Sequence, residues 1–189
     1  MLAPLRVRHL ILDRDGVLNR EPPTGWITGI EQLAWEDSVL DALAELAAAG
    51  VRLSIATNQS CIGRGVVTAE AVEALHAFMR AELRARGVEL VGIFVCPHVP
   101  EDECACRKPR PGLLEEAVAA SGIPRRETAF VGDAARDLEA ALVAGVAPVL
   151  VRTGKGRDTE RELSGGRGGE VLVFQDLGEV VRWCTGPWT

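Results

Sequence analysis

Asp13 and Asp15 flank Arg14 and precede Gly16. An Asp-x-Asp-Gly run after an apolar stretch has an ordinary explanation, an Asx-type turn that ends a strand. It also has a chemical one, because two carboxylates on one turn can divide nucleophilic and acid–base work. Three further features bear on the choice. Thr57-Asn58 follows a second apolar run, Lys108 precedes a helical stretch, and Gly132-Asp133 is followed by Asp137 after another apolar run. Carboxylates, a hydroxyl and an ammonium in that order suit handling of a phosphoryl group.

A second patch is built from softer ligands. Cys96-Pro97-His98 is followed five residues later by Cys104-Ala105-Cys106, a C-x-H-x₅-C-x-C pattern. Three thiolates and one imidazole make a closed tetrahedral set for Zn²⁺, typical of a structural rather than a catalytic site. Free thiols explain the clustering less well. A Cys104–Cys106 disulfide explains it worse, because a single intervening residue would strain the bridge. Arg107 and Lys108 follow Cys106 directly, so a metal ordering the loop over 96–106 would aim both. Cys184 lies apart and reads as a small buried residue.

Placing these groups is the task of the apolar segments between them. Short apolar runs over 7–12, 51–56, 89–95, 128–131, 149–151 and 171–174 predict strands. Helical periodicity predicts helices over 38–49, 69–86, 113–121, 135–144 and 176–183, with Thr68 capping the longest. Alternation of this kind predicts an α/β fold, a Rossmann-like parallel sheet with helices on both faces. Right-handed crossovers put every strand's C-terminal end on one edge, where such sheets bind ligands. Asp13, Thr57 and Asp133 each end a predicted strand, so they should meet in space. The Gly-rich stretch over 164–169 lacks the Lys-Ser/Thr of a phosphate cradle and reads as a surface loop.

This ordered set resembles the haloacid dehalogenase superfamily of phosphohydrolases, over about residues 7–156. The resemblance implies that Asp13 is the nucleophile and forms an aspartyl phosphate. It implies that Asp15 protonates the leaving oxygen and then activates water. Thr57 and Lys108 would hold the phosphoryl oxygens. Asp133 would complete a Mg²⁺ site with the Asp13 carboxylate and the Asp15 backbone carbonyl, with Asp137 orienting it from behind. The physics needs this mix: a carboxylate attacking a phosphate dianion is repelled unless cations offset the charge.

The combination D-R-D-G, T-N-Q-S, C-P-H…C-x-C-R-K-P and V-G-D is similar to the histidinol-phosphatase and heptose-bisphosphate phosphatase branch of that superfamily. Members of this branch have no large cap domain. The stretches 107–112, 59–65 and 151–155 favour the heptose activity, release of the C7 phosphate from D-glycero-D-manno-heptose 1,7-bisphosphate. The short zinc loop and Glu21-Pro22-Pro23 look more like the histidinol-phosphate activity. Asn19, Glu21, Asn58, Gln59, Ser60, Arg64 and Arg107 are the candidate substrate contacts, with Trp26 a candidate cover. Two positions depart from the branch: Cys61 stands where the heptose enzymes usually have Gly, and Ala134 where they usually have Lys.

Composition narrows the remaining classes. The 189 residues are 47% hydrophobic and 25% charged, which argues against disorder. A net charge of −6 argues against general nucleic-acid binding. The longest nearly apolar run, 140–151, is too short for a spanning helix and contains Gly145 and Pro148. No export signal is apparent, because Asp13 and Asp15 interrupt the first apolar run. The expectation is one domain over 1–189, cytoplasmic and monomeric, with a phosphorylated sugar as partner and neither nucleic acid nor membrane. A phosphoacceptor signalling domain is the non-enzymatic alternative. An Asp15 placed to hydrolyse the acyl phosphate speaks against it.

Overall fold

The structure is a computed structural model that describes residues 7–21, 25–163 and 171–186. Pro22, Pro23 and the Gly-rich stretch over 164–169 fall outside the described residues. Six strands form one sheet: β1 (His9–Leu12), β2 (Arg52–Asn58), β3 (Leu90–Cys96), β4 (Thr128–Gly132), β5 (Ala147–Val151) and β6 (Leu172–Phe174). The spatial order is β3-β2-β1-β4-β5-β6, and every pairing is parallel. Seven helices connect and cover them: α1 (Val39–Ala48), α2 (Ser60–Gly63), α3 (Ala69–Arg84), α4 (Gly112–Ser121), α5 (Ala135–Ala144), α6 (Gly156–Leu163) and α7 (Leu177–Thr185).

Alternate strand residues face opposite helical layers, as the pleat demands. Leu10, Leu12, Leu53, Ile55, Val131 and Val149 pack on α1, α3 and α7. Ile11, Ala56 and Phe130 point the other way, into Leu113, Ala117, Ala140 and Ala144 of α4 and α5. Both faces of the central strands are therefore dry, which is why they read as continuous apolar runs. Thr68 accepts a hydrogen bond from the Ala71 N–H at 3.2 Å and opens α3 as expected.

Three local differences from the sequence expectation have physical causes. Strand β2 runs to Asn58 because Thr57 and Asn58 still pair with Val95 and Cys96. Helix α6 was not expected, since its segment GRDTEREL is polar and buries only Gly156 and Thr159. His9 carried no partner signal in the sequence, yet its Nε2 lies 2.8 Å from Ser54 Oγ on the neighbouring strand.

The switch in strand order falls between β1 and β4. From β1 the chain moves outward to β2 and β3, then returns to the other side of β1. Crevices at such points are where open parallel sheets bind ligands. Asp13 and Asp133 leave the tips of these two neighbouring strands, and the Asp13 N–H still donates to Val131 O at 2.9 Å.

Candidate active site

Asp13, Asp15, Thr57, Asn58, Ser60 and Arg107 line a cavity of about 140 Å³ at this edge. Glu21, Gly25, Trp26, Arg136 and Lys155 complete its wall. The groups expected to converge from three strand tips and the cysteine loop do share one region, although Lys108, Asp133 and Asp137 sit beneath the cavity surface.

Lys108 is 2% exposed and organises the floor. Its Nζ lies 2.9 Å from Asp13 Oδ2, 2.8 Å from Asp137 Oδ1 and donates to Ala56 O at 3.0 Å. Burial would lower its pKa, but the charges of Asp13 and Asp137 outweigh that and raise it. The ammonium is thus held charged beside the candidate nucleophile. Its backbone is clamped by Asn58, whose Oδ1 accepts the Lys108 N–H and whose Nδ2 donates to the Lys108 carbonyl, each at 3.1 Å. Asn58 lines the cavity, but its amide is engaged in placing Lys108.

Burial pushes the Asp13 carboxyl up to about 7 despite Lys108, with Asp137 and Asp133 adding to the rise. The Asp133 carboxyl is pushed up to about 6, again mainly by burial, against the Lys155 N–H that supports its ionised form. Carboxylate oxygens of Asp13, Asp133 and Asp137 lie within 4.8 Å of one another. Asp133 Oδ2 accepts the Lys155 N–H at 2.8 Å, while its Oδ1 is buried without a partner among the described residues. Crowded acids resisting ionisation, with an unsatisfied oxygen between them, fit a hard divalent cation such as Mg²⁺. Asp137 Oδ2 also accepts the Ala134 N–H at 3.1 Å and so caps α5.

Asp15 is treated differently by its surroundings. Arg14 grips it through Nε and Nη2 at 3.0–3.1 Å, and Asn19 Nδ2 and Gln59 Nε2 donate at 2.9 and 3.0 Å. Burial would raise its pKa, but the Arg14 charge and these donors together lower it. Arg14 is fully buried, and its Nη1 meets His76 Nε2 at 3.1 Å. Burial and Arg14 push that imidazole down to about 3, so it accepts as a neutral ring. His76, which by its helix position reads as a core residue, is in fact the far end of the Asp15 support.

Several candidate contacts take other places. Asn19 is 0% exposed and Gln59 is 1% exposed. Neither reaches the cavity, because both turn inward to donate to Asp15. Arg64 is exposed at the C-terminal end of α2 and does not line the cavity. Cys61 is fully buried beneath it, its Sγ 3.5 Å from Gln59 Oε1. Glu21 does line the wall, paired with Lys155 Nζ at 2.6 Å.

Two unexpected supports come from the segment after β5. Thr153 Oγ1 donates to Gly16 O at 2.6 Å, and Thr159 Oγ1 donates to Asp133 O at 2.8 Å. Gly16 and Gly154 both have positive φ, +82° and +51°. A Cβ on Gly154 would strike Asp133 Oδ2 and come within 2.7 Å of Gly16 Cα. Gly154→Ala should therefore displace the Asp133 carboxylate. We expect at least a tenfold rise in the Mg²⁺ concentration needed for half-maximal activity, with about 1–2 kcal/mol of lost stability. An unchanged Mg²⁺ titration would show that Asp133 is not constrained in this way.

The cysteine loop closes at the end of β3. Cys96 Sγ lies 3.6 Å from both His98 Nδ1 and Cys104 Sγ. Cys106 Sγ is 3.3 Å from His98 Nδ1 and 3.5 Å from Cys104 Sγ. A tetrahedral ion with Zn–S bonds of about 2.3 Å needs donors roughly 3.7 Å apart, so the four donors fit Zn²⁺. Arg107 Nη1 donates to His98 O at 3.2 Å, tying the cavity arginine to this loop.

Comparison with known proteins agrees with this geometry. The HAD-hydrolase-like family profile matches residues 105–180. The chain is 43% identical, over 93% of its length and 98% of the relative's, to a D-glycero-beta-D-manno-heptose-1,7-bisphosphate 7-phosphatase of Pseudomonas putida. A protein of the same description from Escherichia coli is 40% identical over 82% of this chain and 85% of its own. Among solved structures, D,D-heptose 1,7-bisphosphate phosphatase from B. bronchiseptica, complexed with magnesium and phosphate, superposes with a TM-score of 0.86 and 37% identity. That match covers 93% of this chain and 97% of the other.

Proposed function

Since the chain belongs to the D-glycero-beta-D-manno-heptose-1,7-bisphosphate 7-phosphatases, HAD-like hydrolases of phosphoric monoesters, we propose that it releases the C7 phosphate of that sugar through an aspartyl phosphate on Asp13. The observation that carries the chemistry is the buried Asp13–Lys108–Asp137 contact beside the orphaned Asp133 oxygen. One phosphatase domain spans the chain and acts as a monomer.

Asp13 Oδ2 is fixed by Lys108, and Oδ1 accepts the Arg14 N–H at 2.7 Å. A carboxylate oxygen of Asp13 forms the bond to phosphorus as the bond to the sugar oxygen breaks. Asp15 gives its proton to that departing oxygen. In the second half, water attacks phosphorus, Asp15 takes the water's proton, and the Asp13–phosphorus bond breaks to release inorganic phosphate. The Arg14, Asn19 and Gln59 donors favour the ionised Asp15 that the second half needs. A phosphate dianion entering beside it favours the protonated form that the first half needs. Thr57 meets the equatorial oxygens from the cavity wall, and the buried Lys108 ammonium, held by Asp13, Asp137 and Ala56 O, offsets their charge from below. Mg²⁺, held by Asp13, Asp133 and the Asp15 carbonyl, would supply positive charge against the phosphoryl oxygens. Zn²⁺, held by Cys96, His98, Cys104 and Cys106, would supply rigidity to the loop that presents Arg107 and Lys108.

Among the described residues no helix is long and apolar enough to cross a membrane. We place the enzyme in the cytoplasm, acting on a small phosphorylated sugar and on neither nucleic acid nor membrane. The test is a side-by-side assay with heptose 1,7-bisphosphate and histidinol phosphate. We expect kcat/KM to favour the heptose by at least about 100-fold, roughly 3 kcal/mol. A preference for histidinol phosphate would overturn the substrate reading and leave the reaction class standing.

A further inference from the structure

Arg136 stands on the first turn of α5, two residues beyond Ala134. Its side chain lines the cavity with Asp13, Thr57 and Arg107. The residue is only partly exposed, and its Nε is buried without a partner. Among the described residues its guanidinium makes no hydrogen bond or ion pair. The carboxylates whose field it feels are Asp137, Asp13, Asp133 and Glu21. Each of those acids already has a closer donor. Asp13 and Asp137 have Lys108, Asp133 has the Lys155 N–H, and Glu21 has Lys155 Nζ.

A planar fork of donors left open in a catalytic cavity is matched by a group with several acceptor oxygens in one face, which is what a phosphoryl group presents. The position after Asp133 holds Ala134, whose N–H is used in capping α5 and whose side chain carries no charge. We propose that Arg136 binds the transferring phosphoryl group directly, supplying from the next part of the helix turn the cation that position 134 lacks. This rests on the phosphatase reading of the site and adds a contact to it. Arg136 shares the cavity with Asp13, and Asp13 acts on its charge more strongly than Glu21 of the outer wall does, which assigns Arg136 to the phosphate being removed rather than to the second phosphate of a bisphosphate.

The test separates this contact from the identity of the sugar. Inhibition by inorganic phosphate and hydrolysis of a simple aryl phosphate are measured in the wild type, Arg136→Ala, Arg136→Lys and the double variant Ala134→Lys/Arg136→Ala. We expect Arg136→Ala to raise the inhibition constant for phosphate at least tenfold and to lower kcat/KM for the aryl phosphate about 100-fold. Arg136→Lys should fall between, and Ala134→Lys should restore the double variant to within tenfold of wild type. Zinc content and melting temperature should stay unchanged. An unchanged phosphate inhibition constant in Arg136→Ala overturns the proposal. So does a loss confined to the heptose bisphosphate, which would assign Arg136 to the distal phosphate, or a loss that Ala134→Lys does not repair, which would mark a structural role. Should Arg136→Ala fail to fold, Arg136→Lys carries the same comparison, and an unchanged phosphate inhibition constant and aryl phosphate kcat/KM in it overturn the proposal. If the wild type turns over the aryl phosphate but not the heptose, the substrate reading fails while the Arg136 result still stands.

Discussion

Asp13→Asn should abolish phosphate release, by at least about 10⁴-fold, while the fold and the zinc content remain intact. The amide keeps the shape of the carboxylate but cannot form the acyl phosphate, so covalent turnover has no starting point. Uncatalysed phosphate monoester hydrolysis needs acceleration of up to ~10²¹-fold, and losing the nucleophile removes a large share of it. The exchange also removes one of the two anions holding the buried Lys108 ammonium, leaving Asp137 as its remaining carboxylate. That leaves a buried charge less well paired, so a modest fall in stability is expected alongside the kinetic effect. Single-turnover measurement of released phosphate, with circular dichroism as the control, decides the matter. Undiminished turnover would sink the nucleophile assignment, and loss of activity with loss of fold would point to Asp13→Glu as the informative substitution.

The second large effect is expected at Cys104→Ser. Structural Zn²⁺ sites in zinc-finger peptides carry apparent binding energies of about 10–16 kcal/mol near neutral pH. Even a fraction of that is comparable with the whole stability of a domain. The four donors span only residues 96–106 but tie the end of β3 to the segment that carries Arg107 and Lys108. Loss of one thiolate should release close to one zinc per chain and lower the melting temperature by more than 10 °C. It should cut kcat/KM by at least tenfold, because Arg107 loses the His98 carbonyl that aims it. Metal analysis, thermal denaturation and steady-state kinetics on the same preparation test all three. Full activity in a zinc-free variant would show that the loop is ordered without its ion.

Much of the site could be read before any fold was known, for a physical reason. Residues that must do chemistry at a sheet edge follow apolar runs immediately, so Asp13, Thr57 and Asp133 announce themselves by position. The Cys/His cluster does so by spacing. What the sequence concealed was side-chain direction. Asn19 and Gln59 sit beside catalytic positions in the chain, yet both are turned inward as donors to Asp15. Arg64 looked equally close and faces solvent. Arg136 carried no signal of its own in the sequence, because a single arginine on the first turn of a helix is equally at home on a solvated face. Helix α6 was hidden because its polar residues carry no apolar stripe; its use lies in one hydroxyl, Thr159, holding the Asp133 carbonyl. Arg14 was read only as the spacer between two aspartates, although its burial and its contact with His76 make it the main brace of Asp15.

The strand order has a consequence for how the enzyme comes into being on the ribosome. Strand β1 is synthesised more than 110 residues before one of its two neighbours in the sheet, β4, which begins only at residue 128. Until then the nascent chain holds Asp13 and Asp15 without Asp133 and Asp137, and an open seam along β1, because domains fold as units when their distant partners arrive. The thiolate loop, by contrast, needs only eleven consecutive residues and can capture its ion while the seam is still open. Metal capture at that loop can thus precede assembly of the hydrolytic centre.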